Sequence, residues 1–169
     1  MAKTFSIVSE CNPKFSATSV LVAAGTAQSI GVGTPTFGVD AAAASWTGAV
    51  AIGEDGNGTT AQRFTGIAKS KSTETASVAG SVDVWLPLPG IIYSGFAKTS
   101  STADTAAEIQ ALFGKRVVFD LTSSNWTIDA GATDAVANCV VIYGGDATTA
   151  TLSFFYRPSG TFLDYSISA

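Results

Sequence analysis

The side chains that could do chemistry in this sequence are carboxylates, two thiols and a set of aromatic rings, because histidine is absent. Without an imidazole there is no Ser-His-Asp triad, no histidine-ligated metal and no imidazole base. Two carboxylates facing one cleft would make a glycosidase pair. The acids that stand out are Asp83, Asp120, Asp129, Asp134, Asp146 and Asp164. They are scattered, and several fall at the ends of strand-like runs, where Asp is an ordinary turn former. No G-x-S-x-G motif occurs, and no Ser or Thr has a motif-placed base to activate it. The sequence predicts no catalytic residue and no enzyme activity; a two-carboxylate hydrolase ranks last among the readings.

Binding motifs are equally sparse. Asp55-Gly56-Asn57-Gly58 opens like a calcium loop, but the position that should supply the closing acidic ligand is Gly66, so a plain turn is expected. Gly31-Val32-Gly33 lacks both the Lys-Ser/Thr pair and the helix that a phosphate cradle needs. Cys11 and Cys139 are too far apart for a zinc or redox motif and read as two buried thiols rather than a disulfide. No metal site and no cofactor are predicted. Trp46, Trp85 and Trp126, with ten Phe and four Tyr, could build a sugar-binding platform, although aromatic rings in a β protein more often fill the core.

Positioning any such residues falls to a chain of 169 residues, enough for one well-buried domain without covalent staples. It is 46% hydrophobic but only 13% charged, about half the usual charged share, with net charge −4. An acidic surface without a Lys/Arg cluster repels a phosphate backbone, so nucleic acid is not an expected partner. No apolar run approaches the ~20 residues of a membrane-spanning helix, and the first residues do not form a signal sequence. A soluble protein made in a cytoplasm, with no membrane partner, is expected.

Strand signals dominate. Runs of period-two or β-branched character occur at Phe5–Val8, Ser19–Ala23, Gly48–Ile52, Arg63–Ala68, Gly80–Leu86, Ile91–Ala97, Arg116–Leu121, Asn125–Asp129, Ala137–Tyr143, Thr151–Tyr156 and Phe162–Ile167. Val82, Val84 and Leu86 share one face. Gly144-Gly145-Asp146 reads as a hairpin turn. One helix is expected over about 105–113: Thr105 and Glu108 form a capping box, Ile109, Leu112 and Phe113 make an apolar stripe, and Gly114 ends it. The fold class is therefore mainly β, a β-barrel or β-sandwich with one short helix. Residues 1–62 are the least legible and read as an N-terminal arm with weak strands, packed on the same domain or not; 63–169 form the β domain.

Phe154-Phe155-Tyr156 and Ile91-Ile92-Tyr93 place apolar side chains on both faces of a strand. Such strands are either covered on two sides within a sandwich or covered by another chain. With so few charges to solvate the exterior, cover by sister copies is the favoured expectation.

The order of segments adds a resemblance. Phe-Thr-Gly-Ile-Ala (64–68) precedes Val-Trp-Leu-Pro-Leu-Pro-Gly-Ile-Ile-Tyr (84–93), then Ala-Lys (97–98), Ala-Asp-Thr-Ala-Ala-Glu-Ile (103–109) and Gly-Lys-Arg-Val-Val-Phe-Asp-Leu-Thr (114–122). This resembles the small β-rich head proteins of tailed bacteriophages that decorate or cement the capsid. The resemblance implies a homo-oligomer, a trimer above all, that binds the major capsid protein and clamps neighbouring coat subunits on the outside of the virion. A carbohydrate- or receptor-binding β module of a phage fibre or tail is the alternative expectation.

Overall fold

The computed structural model describes residues 5–9, 16–22, 30–40, 46–52, 64–88 and 90–157. Among these residues eleven strands and one α-helix follow in the order β1 (Ser6–Ser9), β2 (Ser16–Val22), β3 (Pro35–Asp40), β4 (Trp46–Ile52), β5 (Phe64–Ala68), β6 (Gly80–Trp85), β7 (Ile92–Phe96), α1 (Ala106–Leu112), β8 (Arg116–Thr122), β9 (Asn125–Asp129), β10 (Val140–Asp146) and β11 (Thr151–Tyr156). Strands β2-β4-β3-β5-β6 close into a five-stranded barrel, and β1-β7-β11-β10-β8-β9 form a six-stranded sheet that curls into a half-barrel. The mainly β class with one short helix is thus observed, as a barrel beside a curled sheet. Strands from both sides of residue 62 build the barrel.

Two cores result. Val22, Ile30, Val50, Ala68, Val82 and Val84 fill the barrel. A larger aromatic core around Phe5, Phe64, Tyr93, Phe119, Phe154 and Tyr156 joins the barrel to the curled sheet. β5 is the wall between them. Its neighbours Ile67 and Ala68 point to opposite faces, one into the large core and the other into the barrel. That is why all five of its residues are buried.

Local sequence explains most boundaries. Thr105 caps α1: its hydroxyl accepts the Glu108 N–H at 3.2 Å, and the Glu108 carboxylate accepts the Thr105 N–H at 3.0 Å. Gly114 follows with φ +79°, the left-handed turn that ends the helix. Of the expected stripe, Ile109 is buried and Leu112 packs on the core, but Phe113 is 62% exposed. It leaves the stripe because it is already the C-cap, with ψ 125°.

Three expectations are corrected. Gly144-Gly145-Asp146 is not a turn but the end of β10, paired with Thr151–Ser153 after a register shift at Tyr143. The reversal comes at 147–150, where the Asp146 carboxylate accepts the Thr148 N–H at 2.9 Å and so replaces the turn residues with an Asx bond. β10 itself begins at Val140 rather than Ala137. Pro35–Asp40, within the stretch read as an arm with weak strands, is the six-residue β3: Pro35 stands first in its strand, a position that needs no ladder N–H. The Phe162–Ile167 strand, the Asp55–Gly58 turn and Cys11 lie outside the described residues.

Candidate functional site

The clearest cluster of charged groups lies where β7 ends beside the β8–β9 hairpin. β8 and β9 pair from Val118–Asp129 to Thr122–Asn125. This register sets Asp120 opposite Thr127, and the Thr127 hydroxyl donates to the Asp120 carboxylate at 3.0 Å. Thr122, two residues along β8 on the same face, donates to the same oxygen at 3.0 Å. The third partner comes from the residue after the Ala97–Ile128 bridge. There the Lys98 N–H bonds the Ile128 carbonyl, which anchors the Lys98 backbone on β9. Its ammonium lies 2.6 Å from Asp120 and 3.2 Å from Asp129.

Burial pushes the Asp120 carboxyl upward, but the bonds from Lys98, Thr122 and Thr127 outweigh it, and the group is held below the ordinary carboxylate range. Hydrogen bonds to Asp120 and Asp129 hold the Lys98 ammonium above its usual range. Near neutral pH the carboxylate keeps its charge and the ammonium its proton. The arrangement is suited to fixing charge, not to moving a proton. Beside it opens a polar cleft of about 420 Å³ rimmed by Thr99, Ser123 and Asn125. The two-residue turn at its edge is Ser123-Ser124, with φ +51° and +64°, a left-handed pair that glycine or asparagine would adopt more easily.

The other acids singled out from the sequence are dispersed. Asp134 pairs with Arg116 at 2.6 Å, and that bond lowers its carboxyl. Asp146 is lowered chiefly by the Thr148 N–H. Asp83 accepts the Ser19 N–H at 2.9 Å, and Asp164 lies outside the described residues. Among the described residues no group of three or more His, Cys, Asp or Glu is placed to hold a metal ion. Gly66, the position that would close a calcium loop, lies in β5 with φ +144°, and a Cβ there would collide with the Trp85 carbonyl. Its type follows from the close approach of β5 to β6. Cys139 is fully buried, its thiol donating to the Ala137 carbonyl at 3.5 Å.

The aromatic residues sort by face. Trp126 is buried, and Trp85 is half-buried beneath the Lys69 ammonium, 4.6 Å from the ring centroid. Among the described residues the exposed rings are Phe113, expected in the apolar stripe of the helix, and Tyr143, which sequence patterning did not single out; their centroids lie 5.6 Å apart. Tyr143 is turned out by the irregularity in β10, a feature without a local sequence signal. On β7 and β11, Tyr93, Phe154 and Tyr156 are buried, while Ile92 and Phe155 lie on the other face and are only partly covered. With Leu88 and Tyr143 they line an apolar cleft of about 430 Å³. No protein-family model, curated protein or solved structure matches this chain.

Proposed function

We propose that this protein is a non-enzymatic virion structural protein that decorates a phage capsid, binding coat protein as a homo-oligomer, with a trimer favoured. The observation that carries the reading is the outer face of β7 and β11. There Ile92 and Phe155, with Leu88 and the half-exposed Tyr143, border an apolar cleft in a chain with few charges. Apolar side chains on the second face of a central sheet pair are stable when another surface removes them from water. A symmetric interface of on the order of 2,000 Å² would do so. The capsid as the place of assembly rests on the resemblance of segments 64–68, 84–93, 97–98, 103–109 and 114–122 to phage head proteins.

The test is the mass in solution together with cosedimentation on assembled capsids. A trimer that binds capsids is the expected result. A monomer at micromolar concentration without capsid affinity overturns the reading.

The second reading, a carbohydrate- or receptor-binding module, is favoured by the exposed Tyr143–Phe113 pair, since a sugar ring stacks on an accessible aromatic face. Glycan-array binding that disappears in Tyr143→Ala would establish it.

A further inference from the structure

Beyond Ile142, β10 has no strand partner on one side among the described residues. β8 pairs with it only at Val140–Val117 and Val141–Arg116. Ile142 closes that side by donating its N–H to the Lys115 carbonyl and accepting the Gly114 N–H. On the other side β11 continues, opposing Gly144 with Ser153, Gly145 with Leu152 and Asp146 with Thr151.

Successive residues of an antiparallel ladder turn their N–H and C=O groups to alternate sides. Because Ile142 bonds toward Lys115, its opposite number Phe154 bonds toward β7. Ser153 and Thr151 then bond toward β10, and Leu152 toward β7. Gly145, opposite Leu152, is left presenting its N–H and C=O away from β11, where no strand follows among the described residues.

That edge borders a groove of about 710 Å³ whose other wall is α1. Ala106, Ile109 and Gln110, which share one face of the helix, line it together with the C-cap residue Phe113. The Ile109 Cδ1 comes within 3.3 Å of where a Gly145 Cβ would stand. Gly144, also in the groove, is a glycine the fold does not require: its φ is not positive, and a Cβ would meet nothing within 4 Å. Its missing side chain leaves the main chain open to close approach. At the end of the groove stands the exposed carboxylate of Asp146.

We propose that this groove binds an extended peptide segment of a partner protein as an added strand. Its main chain would pair with Gly145, an apolar side chain would turn toward Ile109 and Phe113, and a basic side chain would lie near Asp146. A free main-chain donor and acceptor beside a floor without side chains match a polypeptide backbone, and alternate side chains of a strand reach one wall only. The inference stands apart from the capsid reading, since it requires neither self-association nor coat protein.

The experiment is selection of a random seven-residue display library on the immobilised full chain. Selected peptides are then resynthesised and followed by anisotropy and amide NMR. The expected peptides alternate apolar residues and carry Lys or Arg. They protect the Gly145 amide from exchange, and they lose at least about tenfold in affinity when N-methylated at the pairing residue. Gly144→Val is expected to weaken binding by a similar factor with unchanged melting; if that variant fails to fold, the N-methylated peptide decides. Recovery of no peptide, indifference to N-methylation, or shifts confined to the Leu88–Ile92–Phe155 face would overturn the proposal.

Discussion

Phe64 of β5 stacks on Tyr156 of β11, with ring centroids 4.2 Å apart and planes 21° from parallel. Phe64 belongs to the barrel and Tyr156 to the curled sheet, so this contact joins the two halves of the fold. Phe119 extends the stack at 6.2 Å from Tyr156 and 5.9 Å from Phe64. Removing the central ring leaves a cavity that strands on both sides are too constrained to refill. Phe64→Ala is expected to cost about 3–5 kcal/mol, read as a fall of roughly 10 °C in Tm.

Tyr93 ties the same halves by a polar contact. Its buried hydroxyl shares its proton between the carbonyls of Trp85 at 3.1 Å and Leu86 at 3.0 Å. Burial pushes the phenol well above its ordinary range, so it stays a donor at any working pH. Tyr93→Phe keeps the ring and strands the carbonyls; a loss of about 1–3 kcal/mol is expected in urea unfolding.

The Lys98–Asp120 pair gives stability a pH dependence with a fixed sign. The folded carboxyl lies below its unfolded value. Its contribution is therefore present above the unfolded pKa and lost as pH falls through the folded one. Lys98, raised on folding, contributes below its unfolded pKa and loses that contribution as pH rises through the folded value. Asp120→Asn should flatten the acid limb of the urea midpoint against pH, and Lys98→Met the alkaline limb. An Asp120→Asn profile that overlays the parent between pH 2 and 5 would count against this account.

The Ser123-Ser124 turn stores local strain, since both residues hold left-handed φ without being glycine. Replacing them by Asn-Gly, the pair a two-residue hairpin prefers, is expected to stabilise the protein by about 1–2 kcal/mol. Gly114→Ala should do the reverse by a similar amount. Its φ is +79° and its Cβ would meet nothing within 4 Å, so the backbone alone sets the cost.

The outer face of β7 and β11 yields a prediction about assembly. Phe155→Glu places a charge where the proposed oligomer excludes water, while its inward neighbours Phe154 and Tyr156 are untouched. The variant should sediment as a monomer with nearly unchanged far-UV circular dichroism. An unaltered oligomer would remove this face from the interface.

What could be read from the residues was whatever is encoded locally. The Thr105–Glu108 box, Gly114 and the period of two in Val82–Val84 act over a few positions, and each is found in place. What escaped depends on distant partners. β5 is buried on both faces because two cores meet across it, which its own five residues do not announce. Pro35–Asp40 is a strand because β4 and β5 flank it. Gly144 and Gly145 resemble a turn, yet they continue a ladder after Tyr143 slips the register. For the candidate site, Asp120 was legible as an acid, but its link to Lys98 needed the Ala97–Ile128 bridge to become visible.

The pairing of Ser6 with Ser94 also has a kinetic side. β1 and β7 are neighbours in the curled sheet, and the whole barrel is threaded into the chain between them. A ribosome releases the barrel strands before the earliest strand meets its mate, so the barrel acts as a cassette that can mature first. The barrel's own pairing of Ser16 with Trp85 has by then brought the two ends of the intervening segment together, so the loop left to close between β1 and β7 is short and costs little further entropy.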